Sequence, residues 1–101
     1  MARRLKWATT AKIQRQEILA YWIKRNQSKT YSRKLNKLFG ECAEMILLYP
    51  EIGIKIPNIN CRKRLIRDFY FVYTITEIEI EIVTIWDTRQ NPEKLLNILG
   101  L

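Results

Sequence analysis

At Cys61 the spacing of apolar residues changes from helical to alternating, and no other feature of the sequence restricts the fold as strongly. Upstream, Ala11, Ile18, Leu19, Trp22 and Ile23 form one stripe of helical period that ends near Arg25. A second stripe, Tyr31, Leu35, Leu38, Cys42, Met45 and Tyr49, alternates steps of four and three, and Phe39, Ile46 and Leu47 widen it. The connection "RNQSK" is short, so the two helices should form an antiparallel hairpin. Downstream, "CRKRLIRD" leads into "FYFVYTI", where Leu65, Phe69, Phe71, Tyr73 and Ile75 share one face. "TEIE" reads as a turn, and "IEIVTIW" as the last strand, with Ile80 and Ile82 alternating with Glu79 and Glu81. The apolar run Ile82, Val83 and Ile85 predicts that the centre of this strand is covered on both sides.

The remaining segments complete an order. "RRLKWA" fits a short first strand with Leu5 and Trp7 on one face, and Pro92 suits the first turn of a final helix, "PEKLLNIL". The result is β-α-α-β-β-β-α, an α+β fold with a helical hairpin packed on a small antiparallel sheet. Thr9 or Thr10 offers a cap for the first helix and Ser28 for the second, which Pro50 ends. Gly40 should cost the second helix about 1 kcal/mol relative to Ala, unless it admits the first helix closely. "PEIGIKIPNIN" is a loop by its prolines, glycine and asparagines, and Ile52, Ile54, Ile56 and Ile59 should anchor it to the core.

A chain of 101 residues corresponds by size to one domain, here residues 1–101. It contains no apolar run long enough for a membrane span or a signal peptide, which points to a cytoplasmic protein with no membrane role. There is no histidine, and Cys42 and Cys61 form no CxxC pair, so no metal site is expected and the thiols should be reduced. No Gly-rich nucleotide loop occurs and no cofactor is expected. Without histidine, any acid–base chemistry falls to Arg, Lys, Tyr or carboxylates. The net charge of +8 is unevenly placed, with 11 Lys/Arg against 3 Glu in residues 1–50 and 7 against 7 thereafter. Such a basic half suits a nucleic acid, a ribonucleoprotein or an acidic protein; a merely solvated basic surface is the plainer alternative.

Arg62, Lys63, Arg64 and Arg67 load one strand, Tyr70 and Tyr73 lie on the next, and Arg89 leaves the last. If neighbouring strands pair, these side chains could converge at one end of the sheet. Arginine forks bind phosphate and can stabilise charge building on phosphorus, while tyrosines stack on bases or move protons. Edge strands are also rich in Lys and Arg simply to block aggregation, and both readings stay open. Asp87 is placed to orient Arg89, or only to cap a strand-to-helix connection. Arg15 interrupts the first apolar stripe and is expected to pack its stem and extend its head outward. Glu77, Glu79 and Glu81 read as a solvated strand face.

In this order, "LKW…TAK", "ILAYW…RNQSKTYSRKL", "LLYPEIG", "RLIRDFYFVYTI" and above all "IWDTRQNPEKL" give a chain that resembles the RelE/ParE superfamily of toxins from bacterial type II toxin–antitoxin modules. The resemblance spans almost the whole length and implies a small basic toxin held inactive by an antitoxin, itself acidic or amphipathic. RelE-like members cleave mRNA on the ribosome, whereas ParE-like members poison DNA gyrase. Arg89 matches the arginine at the end of the last strand, Lys63 or Arg64 approximates a basic position after the loop, and Tyr73 matches a core-strand aromatic. After Arg89 there is neither Tyr nor His, and "PEIG" closes a long hairpin in the ParE manner. The resemblance therefore favours a ParE-like toxin that acts by binding, with Arg15, Lys24, Arg25, Lys34, Lys37, Arg62 and Arg89 contacting gyrase or antitoxin. The alternative is a ribosome-dependent RNase using Lys63, Arg64, Arg67 and Arg89 with Tyr70.

Overall fold

A computed structural model describes residues 2–90 together with Glu93 and Leu99. The helix expected over "PEKLLNIL" lies, those two residues apart, outside the described residues. The elements are β1 (Arg4–Trp7), α1 (Thr9–Asn26), α2 (Thr30–Leu48), a 3-10 turn (Pro50–Ile52), β2 (Ile54–Lys55), β3 (Arg62–Ile66), β4 (Phe69–Ile75) and β5 (Glu79–Asp87). The sheet runs β1-β5-β4-β3-β2. It is mixed rather than wholly antiparallel, because β1 pairs parallel with β5, from Arg4↔Glu79 to Trp7↔Ile82. The two helices between β1 and the rest of the sheet supply the long crossover that a parallel neighbour requires. β2 is an addition to the expected order: Ile54 and Lys55 pair with Lys63 and Arg62.

The helices cover one face of the sheet. Leu35, Phe39, Cys42 and Ile46 of α2 are buried with Ala11 of α1 against Phe69, Phe71, Tyr73, Ile80, Ile82 and Ile85. The core line of α2 is rotated from the stripe suggested by the sequence. Met45 and Tyr49 are exposed, while Ser32 and Ala43 are buried. The serine is accommodated because its hydroxyl donates to Leu19 O across the hairpin (3.0 Å). Phe39 stands edge-on to Phe69 with centroids 5.5 Å apart, and full burial of such a side chain stabilises by roughly 2–3 kcal/mol.

β5 changes phase part-way. Pairing with β4 passes from Val72↔Thr84 to Tyr73↔Ile82, so Val83 is an extra, bulged residue. The bulge lets Ile82 and Ile85, three apart, both join the helix-side core. Beyond it Thr84, Ile85 and Trp86 are buried in succession. β1 stops at Trp7, and Gln14 of α1 takes over the open edge of β5: its Oε1 accepts from the Ile85 N–H (2.9 Å) and the Thr84 hydroxyl (2.8 Å).

The caps differ from expectation at both helices. α1 begins at Thr9 with Ala8 as its cap residue and no side-chain cap bond. At α2 the cap residue is Lys29, also without a side-chain cap bond, although the Ser28 hydroxyl one residue earlier accepts from the Thr30 N–H (3.2 Å). The loop after α2 is anchored by polar bonds rather than by its isoleucines, since Ile52 and Ile54 are exposed. The Tyr73 hydroxyl donates to Pro50 O (2.6 Å) and accepts from the Gly53 N–H (2.9 Å). Arg62 Nη1 donates to Gly53 O (2.8 Å) and, more weakly, to Glu51 O (3.4 Å). A Cβ at position 53 would stand 2.6 Å from the Tyr73 hydroxyl and 2.9 Å from Lys63 O, so glycine is required by closeness of approach. Gly40 has no such role, because a Cβ there meets only Arg15 Nη2 at 3.9 Å.

Candidate functional site

Where β5 leaves the sheet, Asp87 and Arg89 form a compact pair. The Arg89 guanidinium grips the carboxylate with both prongs, Nε to Oδ1 at 3.0 Å and Nη2 to Oδ2 at 2.9 Å. The Arg89 N–H also donates to Oδ1 (2.9 Å), which bends the backbone back toward the acid. The Thr88 N–H donates to Asp68 O (2.8 Å), tying this exit to the turn between β3 and β4. Hydrogen bonding from Arg89 holds the Asp87 carboxyl below the usual carboxylate range, and the same bonds push the Arg89 guanidinium above its ordinary value. Over half of the Arg89 side chain remains open to solvent (55%).

Beside this pair lies a cleft of about 470 Å³ between α1 and the end of β5. Gln14, Glu17, Ile18, Tyr21 and Trp22 supply its helical wall, and Phe69, Ile85, Asp87, Arg89 and Gln90 its sheet wall. Trp22 is held by edge contacts to Tyr21 (5.1 Å) and Tyr31 (5.0 Å). The Arg89 guanidinium carbon lies 6.0 Å from the Trp22 ring centroid, the outer limit of a cation–π contact. Among the described residues the arrangement combines the apolar side chains of Ile18, Trp22, Phe69 and Ile85 with the polar ones of Gln14, Glu17 and Gln90 and the presented Arg89 guanidinium. The sequence singled out Arg89 and Asp87 but missed the cleft's helical wall, because Gln14, Tyr21 and Trp22 differ from ordinary helix residues only once β5 is laid against them.

A sequence model of the family described as ParE toxin of type II toxin–antitoxin system, parDE, matches residues 5–92. The chain belongs to the ParE toxin family. Within the RelE/ParE superfamily its fold also has a solved counterpart, described as the chromosomal ParDE TA system from P. aeruginosa. That structure superposes with a TM-score of 0.73 at 16% identity, covering 87% of this chain and 98% of the other. Comparison with curated proteins gives no match.

In this ParE-family fold the cations singled out from the sequence are distributed rather than gathered on one rim. Arg62 sits at the start of β3 opposite Tyr73, bound to the Gly53 and Glu51 carbonyls. Arg64 pairs with Phe71 on the helix side, where its Nη1 is buried without a hydrogen-bond partner among the described residues. Its charge partly offsets the burial that pushes the Cys42 thiol up to about 11. Lys63 is in register with Val72 and lays its ammonium over the Tyr70 ring at 4.7 Å, on the other face of the sheet. Only Arg67, at positive φ in the β3–β4 turn, shares an end of the sheet with Arg89.

Arg15 also departs from expectation. Its head turns inward, donating from Nε and Nη2 to Asn36 Oδ1 (3.0 and 2.8 Å) and lying 4.8 Å over the Trp7 ring. Burial lowers its pKa from the ordinary arginine value. Lys24, Arg25, Lys34 and Lys37 are exposed on the helical hairpin. Both cysteines are free thiols, and no helix is long and apolar enough to cross a membrane among the described residues.

Proposed function

We propose that this ParE-family chain inhibits growth by binding DNA gyrase and trapping it on cleaved DNA, and that a cognate antitoxin with an acidic or amphipathic segment silences it. The observation that supports this reading is the dispersal of the candidate RNase side chains. Cutting RNA through its 2′-hydroxyl needs a base, an acid and a phosphorane-stabilising cation within hydrogen-bond reach of one phosphate. Lys63 and Tyr70 lie on one face of the sheet and Arg64 on the other, while Arg67 and Arg89 sit in the turns at the end nearest Tyr70. A presented arginine beside a cleft lined by both aromatic and polar side chains is instead the layout of a binding anchor.

The antitoxin segment is expected across the hairpin or the sheet, where the cleft beside Arg89 offers an apolar seat. Purified protein added to gyrase and supercoiled plasmid should accumulate linear DNA after denaturation, and mRNA on translating ribosomes should stay intact. Cleavage of that mRNA within codons, with gyrase unaffected, would replace this reading with the RNase one.

A further inference from the structure

The tip of the α1–α2 hairpin carries a charge pattern outside the cleft beside Arg89. Lys24, Arg25, Lys29, Arg33, Lys34 and Lys37 fall within 14 residues, all exposed, with no acid between Glu17 and Glu41. None pairs with an acid of residues 2–90, where the ion pairs are Lys6–Glu81 and Arg89–Asp87. The exposed side chains between them are hydrogen-bonding ones, Asn26, Gln27, Ser28, Thr30 and Asn36. No large apolar side chain is exposed from Trp22 to Glu44. The platform is braced beneath by the Trp22–Tyr31 contact and the Ser32–Leu19 hydrogen bond, and Arg25 rests 5.8 Å over Trp22.

From these observations we infer that the hairpin tip binds the phosphate backbone of duplex DNA without reading its sequence. Backbone binding needs clustered Lys and Arg with Ser, Thr, Asn and Gln as supplementary donors, and no apolar anchor. An acidic protein partner would be held mainly by buried aromatic or aliphatic anchors, and a membrane surface by an apolar helix face; the tip has neither. From Lys29 to Lys37 the cations extend about 12 Å along α2, enough to follow several successive phosphates. The first turn of α2, which contains no acid, adds partial positive charge at the same tip. The choice of DNA over RNA rests on the gyrase reading, since duplex DNA is what that enzyme holds.

The test uses the full chain and a labelled 20-bp duplex of mixed sequence, followed by fluorescence anisotropy between 50 and 200 mM NaCl. Contact with four to six phosphates should weaken binding by on the order of 100- to 1,000-fold across that range. Replacing Lys29→Gln, Lys34→Gln and Lys37→Gln together should weaken binding at least tenfold at 50 mM and flatten the log–log salt slope by about 3, with an unchanged thermal melt. A control that removes the same charge elsewhere, Arg4→Gln, Lys12→Gln and Lys55→Gln, should weaken it much less. Equal losses from the two triple variants would overturn the inference, as would displacement of DNA by polyglutamate at the concentration at which unlabelled duplex competes. Tenfold tighter binding to an RNA duplex would overturn the choice of DNA. Plasmid cleavage by gyrase is read separately. Trapped cleavage without DNA binding overturns this inference and leaves the gyrase reading standing, and tip-dependent DNA binding without trapped cleavage does the reverse.

Discussion

The two ends of the β3–β4–β5 sheet handle arginine and tyrosine in opposite ways. At the end near β2, Tyr73 and Arg62 are turned onto the backbone of Pro50, Glu51 and Gly53, and the loop is closed over them. At the other end the Arg89 guanidinium is bound to the neighbouring Asp87 carboxylate, with over half of its side chain open to solvent, beside a cleft of about 470 Å³. A polar side chain stabilises a fold when its bonds are shielded and would otherwise be left unmade, whereas an exposed ion pair contributes little. The first end is therefore built for stability and the second for contact.

Substitution tests that contrast, and the largest effect should fall at the closed end. Gly53→Ala drives a Cβ against the Tyr73 hydroxyl and the Lys63 carbonyl. About 3 kcal/mol should be lost in urea unfolding, as for an overpacked site. Tyr73→Phe keeps the ring but strands the Gly53 N–H and the Pro50 carbonyl, at a cost of about 2 kcal/mol. Gly40→Ala separates these local effects from the general effect of replacing glycine. The added methyl meets nothing closer than 3.9 Å, so the helix should gain up to about 1 kcal/mol.

At the open end Arg89→Ala should shift stability by less than about 0.5 kcal/mol yet abolish growth inhibition at equal expression. A stability loss as large as that of Tyr73→Phe would erase the distinction between the ends. The smallest effect is the pH dependence of Asp87→Asn. Because Arg89 lowers the carboxyl's folded pKa, the wild-type advantage should be fully present above the ordinary carboxylate range. It should fade as the pH falls through the lowered folded value, so chemical melts of the two proteins should converge in acid.

Much of this architecture is legible in the chain because it follows from local pattern. The two helices, the three long strands and the exit at Asp87–Arg89 are all set by apolar period and by turn residues. What escapes is set by pairing between distant segments. Nothing in "RRLKWA" says that it lies parallel to β5, and a two-residue strand such as Ile54–Lys55 leaves too short a pattern to register against the prolines around it. The α2 stripe holds at Tyr31, which packs on the core, but not at Met45 and Tyr49, which are exposed, while Ser32 is buried with its hydroxyl bonded to Leu19 O. The site suffered from the same limit. Clustered cations along β3 suggest a shared rim, but a strand sends alternate side chains to opposite faces and separates its ends by more than 10 Å. Arg62, Lys63 and Arg67 are accordingly divided between a latch, the face away from the helices and a turn.

The parallel partner of β1 is also the last of the described strands to be made. β5 is flanked by β1 on one side and β4 on the other, so the first residues synthesised wait for residues 79–82 before they acquire a neighbour in the sheet. Such distant pairing is slow to form and leaves little to hold a partial product together. A ribosome that terminates before residue 79 releases a chain without β5, the strand that joins β1 to the rest of the sheet, and without Arg89. Frameshifts and nonsense codons before that point should thus yield protease-sensitive fragments in which β1 has no partner.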